Sequence, residues 1–190
     1  MDASATKPTS ETGAKLVAAA AAEFNDHGFG GTDTNKIARR AGFAPQTFYR
    51  WFKDKTEIFV AVYRAWEEEE RAAIGALIAR RADDAAVVQA GVDHHRRYLN
   101  FRRSLRRLSL EDPVVRRARA ESRVRQVAQI KAWSPEAARL DDGRIAAALL
   151  TLERLTDALA EGELADMGVS EAPARAAIAA IVAGLRSGRL

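Results

Sequence analysis

Cysteine is absent from the 190 residues. That excludes disulfides, thiolate metal ligands and cysteine nucleophiles, and nothing points to an oxidising compartment. Proline is scarce at five residues, and aromatic side chains make up only 7 %. No apolar run approaches the ~20 residues that a membrane-spanning helix needs. The opening MDASATKPTS lacks the apolar stretch of a secretory leader, so a cytoplasmic location is expected. The motifs of catalysis are missing as well. There is no G-x-S-x-G, and Gly28-Phe29-Gly30-Gly31 is not followed by the Lys-Ser/Thr of a phosphate loop. His94 and His95 are adjacent and would point ~100° apart on a helix, so they cannot share one metal as an i,i+4 pair would. No enzyme activity, no metal and no cofactor are expected.

What is present is alanine, leucine and charge. The chain is 47 % apolar and 29 % charged, and at this length folding buries about 70 % of the surface exposed by the unfolded chain. One domain or two small ones fit. The net charge is only +4, yet Arg96 to Lys131 holds twelve basic residues against Glu111, Asp112 and Glu121. The cluster Arg96–Arg125 admits two readings, an anion-binding pocket or a pair of solvated helix faces, of which the second is favoured.

Residues 1–10 carry no period and are expected as a disordered tail. Val17, Ala20, Ala21 and Phe24 then recur at helical spacing, and Gly28 ends that helix. Asp33 is placed to cap a short second helix through Ile37, Ala38 and Ala41, which Gly42 stops. Phe43-Ala44-Pro45-Gln46-Thr47-Phe48 opens a third helix, with Pro45 in the first helical position, Phe43 and Phe48 spaced as a hydrophobic staple, and Ala44 as a cap without an oxygen. Phe48 and Phe52 share a core face. Asp54 and Glu57 then start a long helix containing Ile58, Val62, Tyr63 and Trp66, with Glu67 and Arg71 forming an i,i+4 pair outside.

A short helix, a glycine turn and a second helix with a polar N-terminal end is the helix-turn-helix pattern. Beyond residue 70 the helical period continues. Tyr98, Phe101, Leu105 and Leu108 follow 3–4–3 spacing, and a basic helix runs from about Pro113 to Trp133, where Ser134-Pro135 breaks it. Two alanine-rich helices, from about Gly143 to Ala160 and from about Glu171 to Leu185, close the chain. No strand-length run of period two occurs.

The segment Glu11 to Trp66 resembles the DNA-binding domain of the tetracycline-repressor (TetR) family. The likeness is carried by Ala20-Ala21, Phe24, Gly28-Phe29, Ile37-Ala38, Ala41-Gly42, Thr47-Phe48-Tyr49, Phe52, Lys55 and Ile58. It covers roughly the first third of the chain. Departures are Ala44 for the commoner capping Ser, Gln46 where Gly is frequent, and Trp51 for a frequent His or Tyr.

The resemblance implies an all-α fold, with a three-helix helix-turn-helix domain at 11–58 and a helical effector-binding and dimerisation domain at 59–190. It also implies a homodimer that binds a double-stranded DNA operator and answers to a small-molecule effector. Tyr49 and Lys55 would contact phosphates, while Thr34, Asn35, Pro45, Gln46, Thr47 and Arg50 would face backbone and base edges. The chemistry agrees, since Gln suits adenine and Arg suits guanine, and hydroxyl and ammonium donors fix register on phosphates. Trp66, His94, Tyr98, Phe101, Arg102 and Trp133 are candidates for an effector pocket, though aromatics at helical spacing are more often plain core. Leu149, Leu152, Leu155, Leu159, Ile178, Ile181 and Val182 are candidates for a four-helix dimer interface.

Overall fold

The computed structural model describes residues 11–133 and 135–190, so the expected tail at 1–10 and Ser134 of the expected break lie outside the described residues. Every regular element among them is helical. In chain order they are α1 (Glu11–His27), α2 (Thr34–Arg40), α3 (Pro45–Tyr49), α4 (Lys55–Ala79), α5 (Asp84–Arg97), α6 (Leu99–Glu111), α7 (Pro113–Lys131), α8 (Pro135–Ala138), α9 (Asp142–Glu161), α10 (Glu163–Asp166) and α11 (Ala172–Ser187). The helices form two compact units that meet in sequence after Trp66. The break falls inside α4 rather than at residue 58, because the first turns of α4 complete the first unit's core through Ile58, Phe59, Val62, Tyr63 and Trp66.

In the first unit, α1 buries Leu16, Ala19, Ala20 and Phe24. This is the expected stripe rotated slightly, since Val17 and Ala21 are only half-buried. Phe24 meets Phe59 edge-on at 5.0 Å and stacks on Phe29 at 5.8 Å, which ties α1, the following turn and α4 together. Asp33 caps α2 by accepting from the Lys36 amide at 2.8 Å. Asp54 does the same for α4 through the Glu57 amide. Glu57 reaches back to the Lys53 amide, one residue ahead of the cap, so two free amides are satisfied reciprocally. The turn between α2 and α3 depends on Gly42, whose φ of +80° is a conformation that L side chains rarely adopt.

In the second unit, α5 packs on α9 and α11, α6 on α7, and α7 on α9. Asp83, Asp112 and Asp141 cap α5, α7 and α9. Two apolar clusters hold these helices: Ile130, Leu140, Ile145, Ala148 and Leu185 form one, and Val88, Val92, Leu159 and Ile178 the other. Of the apolar run Tyr98–Leu108, Tyr98 does not lie within α6, the helix that carries Phe101, Leu105 and Leu108. The chain breaks at Tyr98, which ends α5 and begins α6 with φ −114° and ψ 34°. The expected Glu67–Arg71 pair is not formed either. Arg71 bonds Glu68 one turn away, and Glu67 turns to Ser122, Gln126 and Arg125 on α7.

Candidate nucleic-acid interface

Phe48 is fully buried and fixes α3 to the first unit from beneath. The remaining residues of this short helix then face outward. Gln46 and Arg50 are exposed, Pro45 and Thr47 are half-buried, and Tyr49 is 58 % exposed with its ring edge-on to Phe48 at 5.3 Å. The Ala44 cap is in extended backbone and supplies no side-chain bond, as its methyl group requires.

The first residue of α2 and the last of α3 are joined directly. Thr34 Oγ1 and Tyr49 Oη are 2.9 Å apart, and Asn35 lies exposed beside them. Six of the predicted polar residues (Thr34, Asn35, Gln46, Thr47, Tyr49 and Arg50) thus belong to one outward-facing pair of helices. Between Thr34 and Lys55 the sequence holds Lys36, Arg39, Arg40, Arg50, Lys53 and Lys55 against one acid, Asp54. The local field therefore favours an anionic partner.

Lys55 has an additional task. Its ammonium donates to the Phe29 carbonyl at 2.7 Å and the Thr32 carbonyl at 2.9 Å, and stands 4.2 Å over the Phe29 ring. It clasps the α1–α2 turn to the start of α4, and burial pulls its pKa down. A second clasp was not predictable from periodicity. Glu23 is buried on α1 and accepts from Thr32 Oγ1 at 2.6 Å and Arg40 at 3.0 Å, while Arg40 also reaches Asp26 at 2.6 Å. Burial pushes the Glu23 carboxyl up, but the Thr32 and Arg40 bonds outweigh it, and the net direction is down. Arg40 is therefore committed to α1, and the exposed basic side chains of the interface are Lys36, Arg39, Arg50 and Lys53.

Residues 16–62 match the model of bacterial regulatory proteins, tetR family. The likeness to that family is shown for this segment of the chain. The matched segment holds α2 and α3, the two helices that carry the exposed polar face. The whole fold is similar to that of a protein from Rhodococcus sp. assigned to the TetR-family transcriptional regulators, with a TM-score of 0.71 at 19 % identity over 94 % of this chain and 100 % of that one. A Mesorhizobium loti protein assigned to the same family is similar with a TM-score of 0.64 at 21 % identity, covering 94 % and 96 %. A transcriptional regulator from Pseudomonas aeruginosa PAO1 is similar with a TM-score of 0.62 at 20 % identity, covering 93 % and 90 %. At such identities the likeness concerns the fold. No curated protein matches the sequence.

The predicted pocket residues lie in different surroundings. Trp66 belongs to the first unit, where it is buried and stacked on Tyr63 at 6.3 Å. Trp133 is 43 % exposed, and Phe101 is plain core. His94 is buried edge-on to Tyr98, whose hydroxyl donates to Glu69 at 2.7 Å. Arg102, only 4 % exposed, is bound to Asp157 at 3.0 Å and Glu153 at 2.7 Å. A cleft of about 230 Å³ is instead lined by Ser109, Arg116, Arg119, Ala120, Arg123 and Leu150. None of the six candidates is among these lining residues, and helical spacing marks a buried face without saying what covers it.

The arginine cluster agrees with the favoured reading of solvated faces only in part. Glu153 of α9 accepts from Arg102, Arg119 and Arg123, Glu161 accepts from Arg106, and Glu67 accepts from Arg125. Arg102, Arg106, Arg119 and Arg123 are drawn into an ionic lattice between helices, while Arg96, Arg97, Arg103, Arg107, Arg116, Arg117 and Arg125 are exposed. At its centre His95 touches Asp157 at 2.8 Å and Glu70 at 3.0 Å. Burial pulls the His95 pKa down, but the bonds to Asp157 and Glu70 outweigh it and raise it overall. Asp157 is likewise pushed up by burial, yet held at about 2 by His95 and Arg102.

Two dimer candidates are corrected as well. Leu159 and Ile178 are buried against Val88 and Val92 within the unit, so they are core and have no surface to offer a second chain. Leu149, Leu152, Leu155, Ile181 and Val182 are half-buried and lean on the same two clusters.

Proposed function

We propose that this chain is a ligand-responsive transcriptional repressor that binds a roughly palindromic operator as a homodimer and leaves it when a small-molecule effector binds. The observation that carries the reading is the outward face of α2 and α3, locked together by the Thr34–Tyr49 contact. On it Gln46 and Arg50 are suited to base edges. Thr34, Asn35, Thr47 and Tyr49 are suited to phosphates, with Pro45 setting the entry of α3. An ammonium has three donors, so Lys55 keeps one for a phosphate beyond those given to Phe29 and Thr32.

The closing helices support a homodimer. Ala176, Ala177 and Ala180 of α11 are exposed, and small side chains allow close approach of symmetry-related helices. Half-sites would then lie about 34 Å apart, one turn of duplex. An effector acts only through its difference in affinity for the DNA-competent and DNA-incompetent states. The helix α4, which contributes residues to both units, is the covalent route between them.

Selection from random duplexes tests the reading. The expected result is enrichment of a palindrome whose binding weakens steeply with salt. Failure to prefer any duplex over bulk competitor at moderate salt overturns it. Binding to a selected site as a monomer overturns the dimer alone.

A further inference from the structure

The cleft of about 230 Å³ in the second unit has a chemical character that the operator face does not explain. Arg116, Arg119 and Arg123 recur at i, i+3 and i+7, which puts three guanidiniums on one stripe of α7. Glu153 accepts from the last two and from Arg102, and Arg123 also lies in the field of Glu67. The bonds of Arg116 run to main-chain oxygens of Ser109 and Leu110, which carry no formal charge. Arg116 therefore adds to the cleft a positive charge that its own bonds do not neutralise. Arg119 and Arg123 are largely withdrawn from water, with side chains 17 % and 20 % exposed, so an anion there is screened less than at an open surface.

The opposite character comes from Ala120 and from Leu150 of α9, which is 58 % exposed. Ser109 adds a hydroxyl, already engaged by Arg119 at 3.1 Å. The volume lies below the roughly 300–1,000 Å³ usual for drug-sized ligands. A fitting occupant is therefore small, carries one anionic head and has a compact apolar body.

We propose that this cleft binds a small monocarboxylate with an aromatic or short aliphatic body, its carboxylate forked by Arg116 with Arg119 or Arg123 and its body lying over Ala120 and Leu150. The bidentate match of guanidinium to carboxylate supplies orientation. The effector class follows from this site and rests on the ligand-responsive reading above, but occupancy of the cleft does not.

The test is calorimetric titration of the full chain at fixed ionic strength with three probes: benzoate, benzyl alcohol and inorganic phosphate. Saturable binding of one benzoate per chain is expected, with benzyl alcohol and phosphate each at least tenfold weaker. Arg116→Gln should weaken benzoate at least tenfold without lowering the Tm, since Arg116 is exposed and neutralises no buried acid. Leu150→Ser should weaken benzoate and leave phosphate unchanged. Absence of saturable benzoate binding, an unchanged affinity in Arg116→Gln, or phosphate binding as tightly as benzoate would each overturn the proposal. A parallel mobility-shift titration keeps the two readings apart. Benzoate that fills the cleft without releasing the operator leaves the site standing and counts against the ligand switch, whereas an operator-bound protein that ignores benzoate does the reverse.

Discussion

Nδ1 of His95 lies 2.8 Å from Oδ1 of Asp157, across 62 positions of sequence. Nε2 of the same ring lies 3.0 Å from Oε1 of Glu70. A neutral imidazole has one N–H and one lone pair, so two carboxylate partners require the imidazolium. The proton on His95 thereby holds α4, α5 and α9 together, with Arg102 of α6 and, beyond it, Glu153 completing the charge balance.

This gives a stability profile with a defined sign. The His95 pKa is raised in the folded state. Its contribution is complete below the unfolded value of about 6.5 and fades as pH climbs through the folded one. Asp157, held at about 2, contributes fully above about 3.9 and loses this only as pH falls through its folded value. Thermal denaturation from about pH 4 to about pH 9 should show Tm falling on the alkaline side. His95→Gln should flatten that fall; an identical alkaline slope in the variant would remove His95 from the role.

Arg102 is the second cation on Asp157. Arg102→Met removes it while keeping much of the volume, leaving Asp157 and Glu153 with less compensation in a buried setting. Breaking a buried pair from one side costs about 3–5 kcal/mol, and the His95 bond should hold the loss near the lower end. Chemical denaturation measures it. The double variant Arg102→Met with Asp157→Leu should recover part of the loss, because no buried charge is then stranded.

Ala44 leaves the amides at the start of α3 without a side-chain acceptor, although its φ of −66° and ψ of 149° are those of a cap. Ala44→Ser should raise stability by about 1 kcal/mol. An unchanged or lower Tm would show that the serine oxygen cannot reach those amides.

Much of the first unit could be read in advance because its signals are local. Gly28 and Gly42 do take positive φ, Asp33 and Asp54 do cap, and Pro45 does open α3. What escaped is long-range. Arg102, Arg119 and Arg123 find their acid on α9, thirty or more residues later, and no spacing rule connects such positions. Within the basic stretch, Arg107 and Glu111 form a local i,i+4 pair on an exposed face. Leu159 and Ile178 make the same point about apolar faces, because periodicity marks them as buried without saying whether their own chain or a second one does the burying.

Lys55 combines a structural clasp with the proposed phosphate contact, and Lys55→Met separates them. Loss of the bonds to Phe29 and Thr32 should destabilise the first unit by about 1–3 kcal/mol, since hydrogen bonds from a charged donor are the stronger class. Loss of the phosphate contact should weaken every duplex alike and reduce the salt slope by about 1. A lower Tm with an unaltered slope would confine Lys55 to the clasp.

Arg50 caps the end of α3 and is exposed, so its replacement tests readout with little structural cost. Arg50→Ala should relax base preference at one position of each half-site, at about 1–3 kcal/mol against the preferred duplex. Tyr49→Phe removes only the hydroxyl that meets Thr34, and should weaken all duplexes uniformly. The contrast is read by repeating the selection with each variant. If Arg50→Ala lowers affinity equally on every sequence, the guanidinium belongs with the backbone contacts, and base discrimination must rest on Gln46.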